Sequence, residues 1–268
     1  MKYVEVIGDP IAHSKSPLIH GFWLKKLGIK AQYRAHHVTP DSLADYMESR
    51  RNDANWLGCN VTLPHKLAVM DYVGDPGNIK STIGAMNTIF RQDGELIGTN
   101  SDAGGFYAPI AGDWSGKHAI IIGAGGATRA ILFALAKSDI GQITILARNS
   151  LKAMGLLAQF GLKGDILPMD SALPSADLLV NSSPLGMVGK DALEIDLSPL
   201  PDHAIVYDIV YTPLKTELLK QAKQRNLAAI DGLDMFIGQA AIAFELFFET
   251  PPPADCEDEL RNMLIDVL

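Results

Sequence analysis

The sequence predicts an α/β protein of two domains, and three observations predict it. Short apolar runs alternate with segments of helical period along nearly the whole chain. One continuous apolar run in the second half leads straight into a glycine-rich turn and then a helix. The length, 268 residues, is enough for two modest domains or one large one.

Residues 3–7 read as a buried strand, bounded by the turn Gly8-Asp9-Pro10. A helix is expected over 17–27, with Ser16 as its N-cap and Pro17 at the first helical position. Residues 32–38 suit a second strand, 41–50 a helix capped by Asp41, and 56–62 a third strand stopped by Pro64. A strand-turn-strand unit follows at 85–91 and 95–99, around Gln92-Asp93-Gly94. This half shows no phosphate-binding glycine loop.

The second half changes character. Ala119-Ile120-Ile121-Ile122 is apolar throughout, as expected of a parallel strand covered on both faces. Gly123-Ala124-Gly125-Gly126-Ala127-Thr128 and a helix to Lys137 follow it directly. Further strand-like runs fall at 142–146, 178–181, 205–208 and 228–230, with helical patterns between several of them. Such alternation implies a mostly parallel sheet. The boundary is expected near 103–114. The first domain then spans 1–102 and is rejoined by C-terminal helices at 236–268; the second spans 103–235. A long buried helix is expected over 235–249, and a short one after the break Pro251-Pro252-Pro253. A chain that returns at its end to the domain where it began is expected to form a cleft between the two.

Apolar residues make up 47% and charged residues 20%, an ordinary globular composition. The net charge of −8 argues against a nucleic-acid partner, which favours a basic face. It leaves room for an anionic small molecule in a local cationic pocket. The two cysteines, Cys59 and Cys256, form no CxxC pair and no zinc spacing, which fits a reducing cytoplasm. Residues 1–5 carry no apolar signal region. The most apolar stretch, 235–248, is too short to cross a bilayer and contains Gln239 and Glu245. His36 and His37 would face opposite sides of a strand. With His13 read as structural and His65 as packing, no metal site is expected.

The glycine-rich turn has a physical rationale. Glycines permit a tight turn and a close approach to a pyrophosphate, and the helix N-terminus supplies free N–H groups. Gly123, Gly125, Gly126 and Ala127 therefore read as part of a Rossmann-like nucleotide-binding domain, although Thr128 stands where a third glycine is usual. The following strand ends in Ala147-Arg148-Asn149-Ser150, with no acid to hold a ribose 2′-hydroxyl. Arg148 favours NADP over NAD, because a guanidinium matches a 2′-phosphate.

Several motifs together resemble the shikimate dehydrogenase family. They are Gly8-Asp9-Pro10-Ile11-Ala12-His13-Ser14-Lys15-Ser16-Pro17, Asn60-Val61-Thr62-Leu63-Pro64-His65-Lys66, Gly84-Ala85-Met86-Asn87-Thr88 and Gly98-Thr99-Asn100-Ser101-Asp102. The glycine loop, Asn181-Ser182-Ser183-Pro184-Leu185-Gly186-Met187, Tyr211, and Gly232-Leu233-Asp234-Met235 through Gln239 extend the likeness nearly end to end. The resemblance implies an N-terminal substrate domain, an NADP domain, and reversible reduction of 3-dehydroshikimate to shikimate in aromatic amino-acid biosynthesis.

It also implies roles. Ser14 and Ser16 would hold the substrate carboxylate; flanking one lysine in an extended segment, both hydroxyls can face one side. Asn60, Thr62, Asn87, Tyr211 and Gln239 would complete the substrate site. Asn149, Ser182, Gly232 and Met235 would join the glycine loop and Arg148 at the cofactor. Lys66 and Asp102 would handle the proton: hydride reduction of a ketone leaves charge on oxygen, which an ammonium can meet, and a carboxylate can tune that ammonium. Which of the two is formally the acid stays open.

Four positions depart from the family pattern: Ala147 for asparagine, Asn149 for threonine, Ser101 for threonine and Asp234 for glycine. Near the expected nicotinamide, Asp234 would either weaken cofactor binding or face solvent. The rivals are a quinate or aminoshikimate dehydrogenase using NAD, a methylene-tetrahydrofolate dehydrogenase and a ligand sensor. The Ser14, Ser16 and Asp102 motifs speak against the folate enzyme. The presence of Lys66 and Asp102, with no appended domain, speaks against the sensor. A monomer or homodimer acting on a small molecule in the cytoplasm is expected, with no membrane partner.

Overall fold

In the computed structural model, which describes residues 1–267, strand β1 (Lys2–Gly8) opens the chain. Val4, Val6 and Ile7 are buried in it, as a strand flanked by neighbours requires. Helix α1 (Ser16–Leu27) has Pro17 in its first turn and ends on Gly28 at φ 66°, a left-handed cap that glycine adopts readily. Strand β2 (Ala31–His37), helix α2 (Leu43–Arg51), strand β3 (Trp56–Val61) and the short helix α3 (Ile79–Thr82) follow. Strands β4 (Thr88–Gln92) and β5 (Glu95–Thr99) form a hairpin. Its turn residues Asp93 and Gly94 both have positive φ, 51° and 85°, which matches the twist of the flanking strands.

The sheet order is β2-β1-β3-β4-β5, parallel through β3 and antiparallel beyond it.

The chain continues with α4 (Asp102–Tyr107), β6 (His118–Ile122), α5 (Gly126–Lys137), β7 (Gln142–Leu146), α6 (Ser150–Phe160) and β8 (Gly164–Leu167). Then come β9 (Leu178–Asn181), β10 (Ile205–Asp208), α7 (Glu217–Gln224) and β11 (Ala228–Ile230). These strands pair only in parallel, in the order β11-β10-β9-β6-β7-β8. The order reverses at β6, the topological switch point where α/β sheets bind ligands. Ile120, Ile122, Leu146, Leu179 and Val206 fill the core on one face. Helices α8 (Gly232–Phe248) and α9 (Glu257–Ile265) end the described chain.

Two compact units result: Met1–Ser101 with Ile237–Val267, and Asp102–Phe236. The division falls inside α8. Among the described residues no helix is long and apolar enough to cross a membrane. Both cysteines are free and buried.

Four local expectations need correction. Ser16 is the first residue of α1, not its cap; Lys15 occupies the N-cap, and the Ser16 N–H donates to Ser14 Oγ at 3.3 Å. Asp41 does not cap α2. A 3-10 turn over Pro40–Ser42 precedes the helix, and the Thr39 N–H donates to Ser42 Oγ at 2.9 Å. The strand expected from residue 85 begins at Thr88. Before that, backbone groups bond elsewhere: Met86 N–H to the Lys66 carbonyl and Asn87 N–H to that of Thr99. The long helix begins at Gly232, where a Cβ would collide with the Ile209 carbonyl oxygen.

Candidate active site

In the first unit two of the expected substrate residues, Asn60 and Asn87, join Tyr33, Thr88 and Ser101 in a buried polar cluster around the ends of β3 and β4. Asn60 closes toward the end of β3, 7% exposed. Its Oδ1 accepts the Tyr33 hydroxyl at 2.7 Å, and its Nδ2 donates to Thr88 Oγ1 at 3.1 Å and to the Asn87 carbonyl at 3.3 Å. Asn87 Oδ1 accepts the Ser101 N–H at 2.7 Å, and Asn87 Nδ2 donates to Ser101 Oγ at 3.0 Å. Ser101 thus keeps the hydrogen bonds that a threonine hydroxyl would make. Buried amides must be satisfied in this way, and the result is a preset array of donors and acceptors. Thr88 and Tyr33 belong to it, although they were not among the expected site residues. Thr88 lay inside a recognised motif; Tyr33 lay in a strand of polar neighbours with no local signal.

Lys66 is half-buried on the segment after β3. Three ties fix that segment. Thr62 N–H donates to the Ile7 carbonyl, the His65 ring bonds the Val38 carbonyl at 2.6 Å, and Met86 N–H bonds the carbonyl of Lys66 itself. His65 is 1% exposed and spends one ring nitrogen on the Val38 carbonyl. Gly8 permits the close approach: a Cβ there would lie 2.6 Å from Thr62 Cγ2. Ser14 is half-buried and Ser16 nearly fully buried at the start of α1, Thr62 is half-buried, and Gln239 is half-buried on α8. His13 is exposed. His36 stacks on Tyr46, whereas His37 bonds Asp9, so the two do point apart.

In the second unit Asp102 is half-buried as the first residue of α4. The glycine loop joins β6 to α5 as expected. Gly123 has φ 106°, a conformation that suits glycine. Gly125 and Gly126 have nothing within 4 Å of where a Cβ would be, so the backbone at the α5 N-terminus is open to a pyrophosphate. Ala127 lies in the first turn of the same helix. Thr128, in place of the third glycine, is fully buried; its Oγ1 accepts the Gly125 N–H at 2.9 Å and pairs with Ser182 Oγ at 3.0 Å. Ser182 also donates to the Ile122 carbonyl at 2.8 Å. The residues present fit a dinucleotide.

Arg148 follows β7, exposed and without a hydrogen bond or ion pair among the described residues. Its neighbour Asn149 caps α6, accepting the Lys152 N–H at 2.9 Å. Tyr211 stacks on Phe236 with centroids 4.8 Å apart. Met235 is buried, and Asp234 half-buried on α8, with its charge helping to raise the Tyr207 hydroxyl that burial already pushes up. Asp208, at the end of β10, is also pushed up by burial; it accepts from Thr216 and from Asn181, whose own Oδ1 holds the Ser183 N–H. Among the described residues no group of three or more His, Cys, Asp or Glu could hold a metal ion.

A parallel sheet with an open glycine turn at its switch point, together with a second α/β unit that carries a buried polar cluster, defines a two-unit dinucleotide-dependent oxidoreductase. Comparison with known proteins narrows this. The shikimate dehydrogenase substrate binding domain matches residues 6–89, the shikimate / quinate 5-dehydrogenase family residues 107–235, and the shikimate 5′-dehydrogenase C-terminal domain residues 232–256. A shikimate dehydrogenase (NADP(+)) of Sphingopyxis alaskensis is 63% identical, covering 98% of this chain and 97% of its own. One from Sinorhizobium fredii is 40% identical over 97% and 93%. The chain belongs to the shikimate dehydrogenase family.

Among solved structures, the Thermus thermophilus shikimate 5-dehydrogenase in complex with NADP(H) and shikimate is similar at TM-score 0.85, 32% identity, over 98% of this chain and 99% of that one. The ligand-free 5-ketofructose reductase of Gluconobacter sp. strain CHM43 is similar at 0.90 and 29%, over 98% of both chains.

Proposed function

We propose that the protein catalyses the reversible NADPH-dependent reduction of 3-dehydroshikimate to shikimate, a step of aromatic amino-acid biosynthesis. The observation that carries this reading is the 63% identity, across 98% of the chain, to an NADP-dependent shikimate dehydrogenase. The polar cluster of Asn60, Asn87, Thr88 and Ser101 supports it, because a polyhydroxylated ring needs matched donors and acceptors.

NADPH, when bound, supplies the hydride. The residues supply the rest. Gly123, Gly125, Gly126 and Ala127 would receive the pyrophosphate, with Ser182, Asn149, Gly232 and Met235 lining the cofactor and Arg148 reading the 2′-phosphate. Ser14 and Ser16 would hold the substrate carboxylate; Asn60, Thr62, Asn87, Tyr211 and Gln239 would fix the ring. Lys66 would meet the negative charge that develops on the carbonyl oxygen and pass or share a proton there, and Asp102 would tune its ammonium. On this reading the enzyme works in the cytoplasm, as a monomer or homodimer.

The similar solved structure named a 5-ketofructose reductase makes a different keto substrate worth testing. Quinate with NAD is the corresponding second reading within the family. Steady-state oxidation of shikimate and of quinate, each with NADP and with NAD, decides between them. Shikimate with NADP is expected to give the highest kcat/KM. A win for quinate or NAD by about tenfold, about 1.4 kcal/mol in transition-state binding, contradicts the specificity.

A further inference from the structure

Next to the first unit's polar cluster lies an aromatic box that the proposed chemistry does not use. His20 is fully buried, and neither ring nitrogen has a hydrogen-bond partner. Its imidazole lies flat on the Tyr33 ring, with centroids 4.0 Å apart and planes 5° apart. Trp23 and Phe244 pack against the same imidazole at 5.7 and 5.8 Å. A tyrosine has two side-chain torsions, and a close-packed wall of rings leaves it one arrangement. Tyr33, 8% exposed, therefore presents its hydroxyl at a fixed point.

That point is Asn60 Oδ1, 2.7 Å away. The two ends of an amide have nearly the same shape, so only the partners decide which end is oxygen. Here the Asn87 carbonyl, which can only accept, takes an Nδ2 proton beside Thr88 Oγ1 and fixes which end is oxygen, and the Tyr33 hydroxyl donates to the Oδ1 that then faces it. Thr88 Oγ1 lies 3.0 Å from Asn87 Oδ1 and 3.2 Å from Ser101 Oγ, so the orientation passes along the whole cluster. Without the tyrosine hydroxyl one end of the Asn60 amide loses its fixed partner, and a buried acceptor seeks another.

We propose that Tyr33, held by the His20 ring that Trp23 and Phe244 pack against, is a positioning residue: its hydroxyl donates to Asn60 Oδ1, anchors that end of the amide, and so holds in place the hydrogen-bond pattern offered to the substrate hydroxyls. This rests on the reading that Asn60 and Asn87 face substrate. The role is distinct from packing, because the ring alone would fill the same space.

The test is Tyr33→Phe, which keeps the ring and the stack. Its KM for shikimate is expected to rise about 5–20-fold, with kcat within about threefold and KM for NADP within about twofold, the pattern of lost substrate binding. In an Asn60→Ala background the same change is expected to leave the KM for shikimate unmoved, since the residue it positions is gone. A second readout needs no substrate. The Asn60 side-chain amide resonances, assigned by their loss in Asn60→Asp, are expected to shift or broaden in Tyr33→Phe. Unchanged amide resonances, or a KM for shikimate within twofold of the wild type, overturn the proposal. If the wild type does not oxidise shikimate at all, the functional reading fails, and the resonances alone decide the positioning.

Discussion

Oγ1 of Thr128 lies 3.0 Å from Oγ of Ser182 and accepts the Gly125 N–H, so one hydroxyl ties the glycine turn, the first turn of α5 and the end of β9 together. The position where a third glycine is usual is thus filled by a side chain that braces the loop. Thr128→Val keeps the shape and removes the acceptor. The Gly125 N–H loses its partner, so the loop is expected to loosen, raising KM for NADP about 3–10-fold and lowering stability by about 1–2 kcal/mol. Cofactor kinetics with a thermal melt checks both; an unchanged KM for NADP would mean that the brace is not needed.

Arg148 projects from the end of β7 with no partner among the described residues, so its guanidinium is available. Arg148→Ala is expected to weaken NADP by roughly 1.5–3 kcal/mol and to leave NAD nearly unchanged, because charge-assisted contacts to a phosphate are lost only with the phosphorylated cofactor. Equal losses with both cofactors would remove Arg148 from the 2′-phosphate.

Burial pushes the His20 imidazole down from 6.5 to about 3. The folded value is depressed, so the unfolded chain takes the proton first. The stability this neutral ring brings is present above pH 6.5 and is lost as pH falls from there toward 3, at most about 1.4 kcal/mol per pH unit. His36, also pushed down by burial, acts in the same direction. Burial alone would raise the Glu5 carboxyl. Hydrogen bonds from Arg50 and Tyr46 outweigh it and hold the group below 4.5, so its contribution fades only at lower pH. Urea midpoints between pH 7.5 and 5 are therefore expected to fall with pH, and to fall less in His20→Phe, which keeps a ring in the box. Identical slopes for the two proteins would contradict this.

How much of this was legible in the sequence depends on where each signal lives. The run 119–122 announced a strand buried on both faces, and Gly123 to Gly126 announced the turn after it, because both are local in sequence. Strand β8 was not foreseen; it is an edge strand whose Gly164 and Asp165 are exposed, so it carries no apolar pattern. The caps at Ser16 and Asp41 were misplaced by one or two residues, since several neighbouring polar side chains could each close the turn. Asn60 and Asn87 stood out as amides in apolar runs, but apart from Thr88 beside Asn87 their partners lie 14 to 28 residues away and only the fold brings them together. Tyr33, between Gln32 and Arg34, had no signal at all.

Ser14→Ala and Ser16→Ala are expected to raise KM for shikimate with a smaller effect on kcat, because the carboxylate they would hold keeps its charge throughout the reaction. Ser14→Ala also removes the acceptor of the Ser16 N–H at the start of α1. A small fall in melting temperature should accompany the KM change in that variant. If KM is unmoved in both, neither serine touches substrate.

The central claim is that Lys66 serves the transition state. Hydride transfer leaves negative charge on the carbonyl oxygen, and a cation within reach is worth more to that oxygen than to the neutral ketone. Lys66→Met keeps much of the apolar stem and removes the charge, on a segment whose backbone is fixed by Met86, Ile7 and Val38. Asp102→Asn should also slow turnover, and the double variant should lose clearly less than the product of the two effects. The direct measurement is steady-state oxidation of shikimate by Lys66→Met at saturating NADP. Kcat is expected to fall by about 10²–10⁴ with KM for NADP nearly intact; a rise in KM for shikimate at unchanged kcat would make Lys66 a binding residue and contradict the account.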